Sequence, residues 1–114
     1  MNDAAMNDRE FLDAVEAELR HRFSPPFDGA QFFNETLFDY ILDEAGKDLH
    51  ALDQEAKQIG DQIRARYGAS EFRGKMRIDN AKPAIKFKWY TPTLCRKVTI
   101  TRGEIKSRDM APTE

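Results

Sequence analysis

Arg73, Lys75, Arg77, Lys86, Lys88, Tyr90 and Lys97, followed by Thr99 and Thr101, recur at two-residue intervals within three short stretches. Two is the period of a β-strand, in which every second side chain leaves the same face. If the strands carrying these residues pair side by side, the product is a cationic platform that also bears hydroxyls. Lys and Arg neutralise phosphate, while Tyr and Thr position it by hydrogen bonds. The chemistry is therefore that of holding a polyanion. Outward lysines also keep a one-sided sheet in solution and block edge pairing. The scarcity of interleaved acids is what favours phosphate contact.

The chain has 114 residues and a formal net charge of -2, and this small figure hides two halves of opposite sign. Residues 1–72 carry 16 acidic and 7 basic residues, a balance of -9, whereas residues 73–110 carry 11 basic and 3 acidic residues, a balance of +8, and Glu114 completes the sum. Such asymmetry predicts one polyanion-facing half and an acidic half with a different role. The length predicts a single domain with a modest core. One Cys forms no intramolecular disulfide, no apolar run is long enough to span a membrane, and the N-terminus lacks signal-peptide character. The expected location is cytoplasmic, with no membrane association.

The remaining reactive side chains offer less. Asp39, Asp43, Glu44, Asp48, Asp53, Glu55 and Asp61 decorate a helical region. They read as a solvated face or, through Asp39, Asp43 and Asp48, as a surface for a basic partner. His21 and His50 have no partner that spacing identifies, and Cys95 lacks a nucleophile signature. No Gly-rich phosphate loop, HExxH motif or calcium loop is present. The sequence is read as non-enzymatic, with no catalytic residue, no metal site and no cofactor.

The elements that must position these residues change period partway along the chain. Asn7-Asp8-Arg9-Glu10 has the form of a capping box, and Phe11, Val15, Leu19 and Phe23 recur every four residues behind it, with Leu12 alongside. Ser24-Pro25-Pro26 ends that helix, and Asp28-Gly29 lies in a loop over 24–30. A second helical pattern runs from 31 to 67, with Gly46-Lys47-Asp48 as a potential hinge between two helices and Gly60 a costly interior residue. From Leu49 the apolar residues Leu52, Ala56, Ile59 and Ile63 follow at alternating steps of three and four, a heptad seam that would suit either the core or a homodimer. Beyond Gly68, Met76 and Ile78, then Ile85, Phe87 and Trp89, then Val98 and Ile100 mark the inward positions of three strands. Trp89 is thereby assigned to the core and Tyr90 to the opposite face, where it could stack on a base. The predicted fold is α+β: two or three helices packed on one face of a three-stranded antiparallel sheet. Its acidic helical half covers 8–68 and its basic β half 72–108, with 1–7 and 109–114 frayed.

The segment Ala84-Ile85-Lys86-Phe87-Lys88-Trp89-Tyr90, followed by Arg96-Lys97-Val98-Thr99-Ile100-Thr101-Arg102-Gly103, resembles the C-terminal part of MobI-like auxiliary mobilisation proteins of conjugative elements. That resemblance implies an accessory factor for DNA transfer, acting with a relaxase-type partner at an origin of transfer. The residues and the resemblance together lead to a small nucleic-acid-binding accessory protein, with DNA preferred to RNA. The alternative is an adaptor or inhibitor of a nucleoprotein complex, of the anti-CRISPR type. A dimeric structural module is a third reading.

Overall fold

The computed structural model describes residues 7–45, 49–67, 71–79 and 81–112. Asn7 opens α1 (Asp8–Phe23) as its sequence predicts: the Asn7 side chain accepts from the Glu10 amide at 2.8 Å, and Glu10 accepts from the Asn7 amide at 3.1 Å. Ser24 ends the helix. The loop expected over 24–30 contains a miniature hairpin, β1 (Pro26–Phe27) and β2 (Ala30–Gln31). Its turn residues Asp28 and Gly29 both have positive φ, 49° and 80°, the conformation that a two-residue turn matched to strand twist requires. The 31–67 pattern divides into α2 (Glu35–Ala45) and α3 (Leu49–Tyr67). The proposed hinge at Gly46-Lys47-Asp48, and Gly68 as a helix stop, lie outside the described residues.

The β half is a four-stranded antiparallel meander, not the three-stranded sheet that the periodicity suggests. Its strands are β3 (Arg73–Asp79), β4 (Ala84–Tyr90), β5 (Cys95–Thr101) and β6 (Glu104–Met110), in spatial order β3-β4-β5-β6. Arg102 and Gly103, the latter at φ 84°, close a two-residue turn between Thr101 and Glu104. Asp109 and Met110 are therefore in a strand rather than in a frayed end. β6 escapes a periodicity search because two of its helix-facing positions are polar. Ser107 donates to Glu16 on α1 at 3.0 Å, and Asp109 accepts from Arg9 at 3.1 Å.

The helices cover one side of the sheet. Phe11, Leu12, Val15, Leu19 and Phe23 of α1, Phe38 and Ile41 of α2, and Ala56, Ile59 and Ile63 of α3 form one core with Met76, Ile85, Phe87, Trp89, Val98 and Ile100. Ala56, Ile59 and Ile63 of the heptad seam thus serve this chain's own core, while the Leu49 and Leu52 side chains lie outside the described part. Trp89 is fully buried, stacks on Phe87 with centroids 5.2 Å apart and donates its Nε1–H to the Ala56 carbonyl at 2.9 Å. That bond satisfies the one polar group of an otherwise apolar side chain.

Two glycines allow α3 to lie close to β3. A Cβ on Gly74 would sit 3.1 Å from the Ala56 Cβ, and one on Gly60 would meet the Phe72 ring at 2.3 Å. Phe72 in turn packs on Phe11, centroids 5.3 Å apart. Asp53 of α3 accepts from the Met76 amide at 3.1 Å, which ties the helix to the edge strand. Gly60 is costly to the helix but makes room for this aromatic contact.

Candidate nucleic-acid interface

Strand register decides which cations meet. Lys75 pairs with Lys88, Lys88 with Lys97, and Lys97 with Arg108, so one row of four cations crosses the whole sheet. The next row contains Arg77, Lys86, Thr99 and Lys106. On one flank of these rows stand Arg73, Tyr90, Cys95 and Met110, and on the other Asp79, Ala84, Thr101 and Glu104. All alternate with the core positions and therefore occupy the side of the sheet away from the helices. Arg73, Lys75, Arg77, Lys86, Lys88, Tyr90 and Lys97 are brought together on this side, with Thr99 and Thr101 beside them.

Two further cations, Lys106 and Arg108, extend the face onto β6. The signal for them was available: after the turn-forming Gly103, Glu104, Lys106 and Arg108 repeat at two-residue spacing. A strand with so few apolar residues resembles a polar tail unless the partner residues on α1 are also considered.

The cations fall into two groups. Lys86 has Asp79 at 3.7 Å and Lys106 has Glu104 at 3.7 Å. Arg73 lies over the Tyr90 ring, its Cζ 4.8 Å from the centroid, so the aromatic expected to stack on a base already carries a guanidinium on one face. Among the described residues, no carboxylate comes within ion-pair distance of Lys75, Arg77, Lys88, Lys97 or Arg108. The Lys97 ammonium is held below the ordinary lysine range, first by desolvation and then by repulsion from Lys86, Arg108, Lys88 and Arg77. Directly opposed like charges on adjacent strands destabilise a sheet. Edge protection accounts for cations on β3 and β6, because those strands end the sheet. It does not account for Lys88 and Lys97, which lie on the two interior strands.

The other side of β5 carries a buried cation with a different role. Arg96 is 6% exposed and faces α1. Its Nη1 donates to Glu16 at 2.8 Å, its Nη2 to Asp13 at 2.9 Å, and its Nε to Asp109. Burial works against its charge, but the bonds to Asp109, Asp13 and Glu16 prevail and raise its pKa. Burial likewise opposes ionisation of Glu16, and hydrogen bonds from Arg20, Ser107 and Arg96 overcome it, so that its carboxyl stays below the usual range. Arg96 joins α1 to β5 and β6 and takes no part in the open face. Its parity with Val98 and Ile100 is a sequence signal that a core-facing Arg needs acidic partners nearby.

The acidic helices hold part of their charge in internal contacts. Asp39 accepts from Arg102 at 2.7 Å, and Asp61 pairs with Lys57 at 2.8 Å. Asp43 is exposed on α2, and Asp48 lies outside the described residues. His21 is exposed on α1, the His50 side chain lies outside the described part, and Cys95 is buried at the start of β5. Among the described residues, no group of three or more His, Cys, Asp or Glu side chains could hold a metal ion, and no helix is long and apolar enough to cross a membrane. Compared with protein-family models, curated proteins and solved structures, the chain finds no match.

Proposed function

We propose that the protein is a non-enzymatic accessory factor that binds nucleic acid through the open face of its sheet. The observation that carries this reading is the row Lys75, Lys88, Lys97 and Arg108. Its opposed cations disfavour the isolated fold and are neutralised when phosphates lie against them. Interior-strand lysines with no ion-paired carboxylate among the described residues match a surface whose counter-charge comes from a ligand. The resemblance of residues 84–90 and 96–103 to MobI-like mobilisation proteins supports a role in conjugative DNA transfer beside a relaxase-type partner. The acidic-helix alternative has less support, because Asp39 is already bonded to Arg102.

The test is binding of labelled nucleic acid across a salt series, with the double variant Lys88→Glu/Arg108→Glu alongside. Affinity should fall steeply with salt, and the variant should lose at least ten-fold while remaining folded by circular dichroism. Undiminished binding by a folded variant would refute the role of the face. Absence of binding by the wild-type protein at low salt would refute the function.

A further inference from the structure

Resting on that reading, we infer that the ligand of the sheet is duplex DNA held by its two phosphate rails across the minor groove, without reading of base sequence. Two features of the open face lead there. The first is what it lacks for a single strand. Sequence-tolerant binding of single strands uses aromatic platforms on which successive bases stack. Among the described strand residues, Tyr90 is the one aromatic on this side, at the margin of the cationic rows, and Arg73 covers one face of its ring. Phe87 and Trp89, the other aromatics of β4, are buried on the helix side.

The second feature is the layout of charge. The two cationic rows cross four strands, a span of about 14 Å at a strand spacing of about 4.8 Å, and lie about 6.7 Å apart along the strands. Over about 14 Å, duplex DNA presents about eight phosphate charges and one of its strands about four. The two rows supply seven cations, namely three with Thr99 in one and four in the other. Lys86 and Lys106 already have Asp79 and Glu104 at 3.7 Å, and the five remaining cations, spread over two rows, still exceed the roughly four phosphates and the single rail that one strand presents. Lysine and arginine stems splaying from rows at this separation reach both rims of a groove about 6 Å wide, which is the minor groove of B-DNA. Double-stranded RNA has a wide, shallow minor groove that this spacing does not match. With Lys, Arg and Thr facing the rails, the contacts are to phosphate, which positions a protein without specifying sequence.

The test uses the full-length wild-type protein and fluorescein-labelled 20-mers in fluorescence anisotropy at fixed low salt. The probes are two DNA duplexes of unrelated sequence, their separate strands and an RNA duplex. Both DNA duplexes should bind within about two-fold of each other and at least ten-fold more tightly than any single strand or the RNA duplex. Single strands that bind as well as the duplexes would overturn the inference while leaving the sheet a nucleic-acid surface. RNA duplex bound as tightly as DNA would overturn the minor-groove geometry, and a strong preference for one DNA sequence would overturn the phosphate-only contact. If no probe binds, the proposed function itself fails, and this outcome is distinct from the others.

Discussion

Replacing Lys88 and Arg108 with Glu should make the protein more stable and a poorer binder at once. In the native register, Lys75, Lys88, Lys97 and Arg108 form three directly opposed like-charge pairs. The double variant converts the row to alternating sign, so every one of those pairs becomes attractive. Cross-strand charge pairs contribute roughly 0.2–1 kcal/mol each, and solvent screening on an open face holds the change near the lower part of that range. The sum over the row is about 1–1.5 kcal/mol of added stability, or roughly 4–6 °C in Tm for a domain of this size. Binding should move oppositely. Two phosphate contacts are lost and two repulsions introduced, which weakens affinity at least ten-fold and lowers the slope of log affinity against log salt by about 2. Thermal and urea denaturation give the first quantity, and anisotropy across salt gives the second. A variant with lower Tm and unchanged binding would refute both the row and its role.

The Arg96 network and the α3–β3 packing give further expectations. Arg96→Ala should cost roughly 2 kcal/mol by urea denaturation, since it removes the cation shared by the part-buried Glu16 and Asp109 and leaves them only the more exposed Arg20 and Arg9. A loss under 1 kcal/mol would show that the network does not fasten α1. Glu16 and Asp109 both have lowered pKa values in the fold, Glu16 despite its burial and Asp109 chiefly through its hydrogen bond with Arg96. Their contribution is complete above the ordinary values of 4.5 and 3.8 and is lost as pH falls through the lower folded-state values. The urea midpoint should therefore decline below about pH 4.5, and Arg96→Met should flatten that decline; equal pH dependence in both proteins would count against the assignment. Gly60→Ala gains about 1 kcal/mol of helix propensity but drives a methyl into the Phe72 ring, and overpacking of that kind costs roughly 1–3 kcal/mol. Its Tm should fall, and a rise would show that Phe72 yields without cost.

Much of this architecture could be read in the residues because the local and long-range signals agree. The Asn7–Glu10 box, the four-residue repeat from Phe11 to Phe23 and the alternation through Ile85, Phe87 and Trp89 each point to the element observed. The parity of Lys75, Lys88 and Lys97 was visible too, but their alignment into one row was not. Register depends on turn lengths, and a slip of one residue would reverse every side chain. β6 was hidden because Ser107 and Asp109 hold core-side positions that an apolar pattern would fill, and their polarity is explained by Glu16 and Arg9 of α1 together with Arg96 of β5. Gly60 looked like a helix defect for the same reason: its use is to make room for Phe72, a residue beyond the end of the helix but adjacent in space.

The central claim, that phosphate binds on the open face of the sheet, is most directly tested by residue-resolved NMR of the 15N-labelled protein titrated with a 20-base-pair DNA duplex. The amides of Lys75, Lys88, Lys97 and Arg108 should shift together and saturably, while those at Asp39, Asp43 and the exposed side of α1 stay in place. Shifts concentrated on α2, with the four strands unmoved, would contradict the claim and locate the binding surface on the acidic half of the molecule.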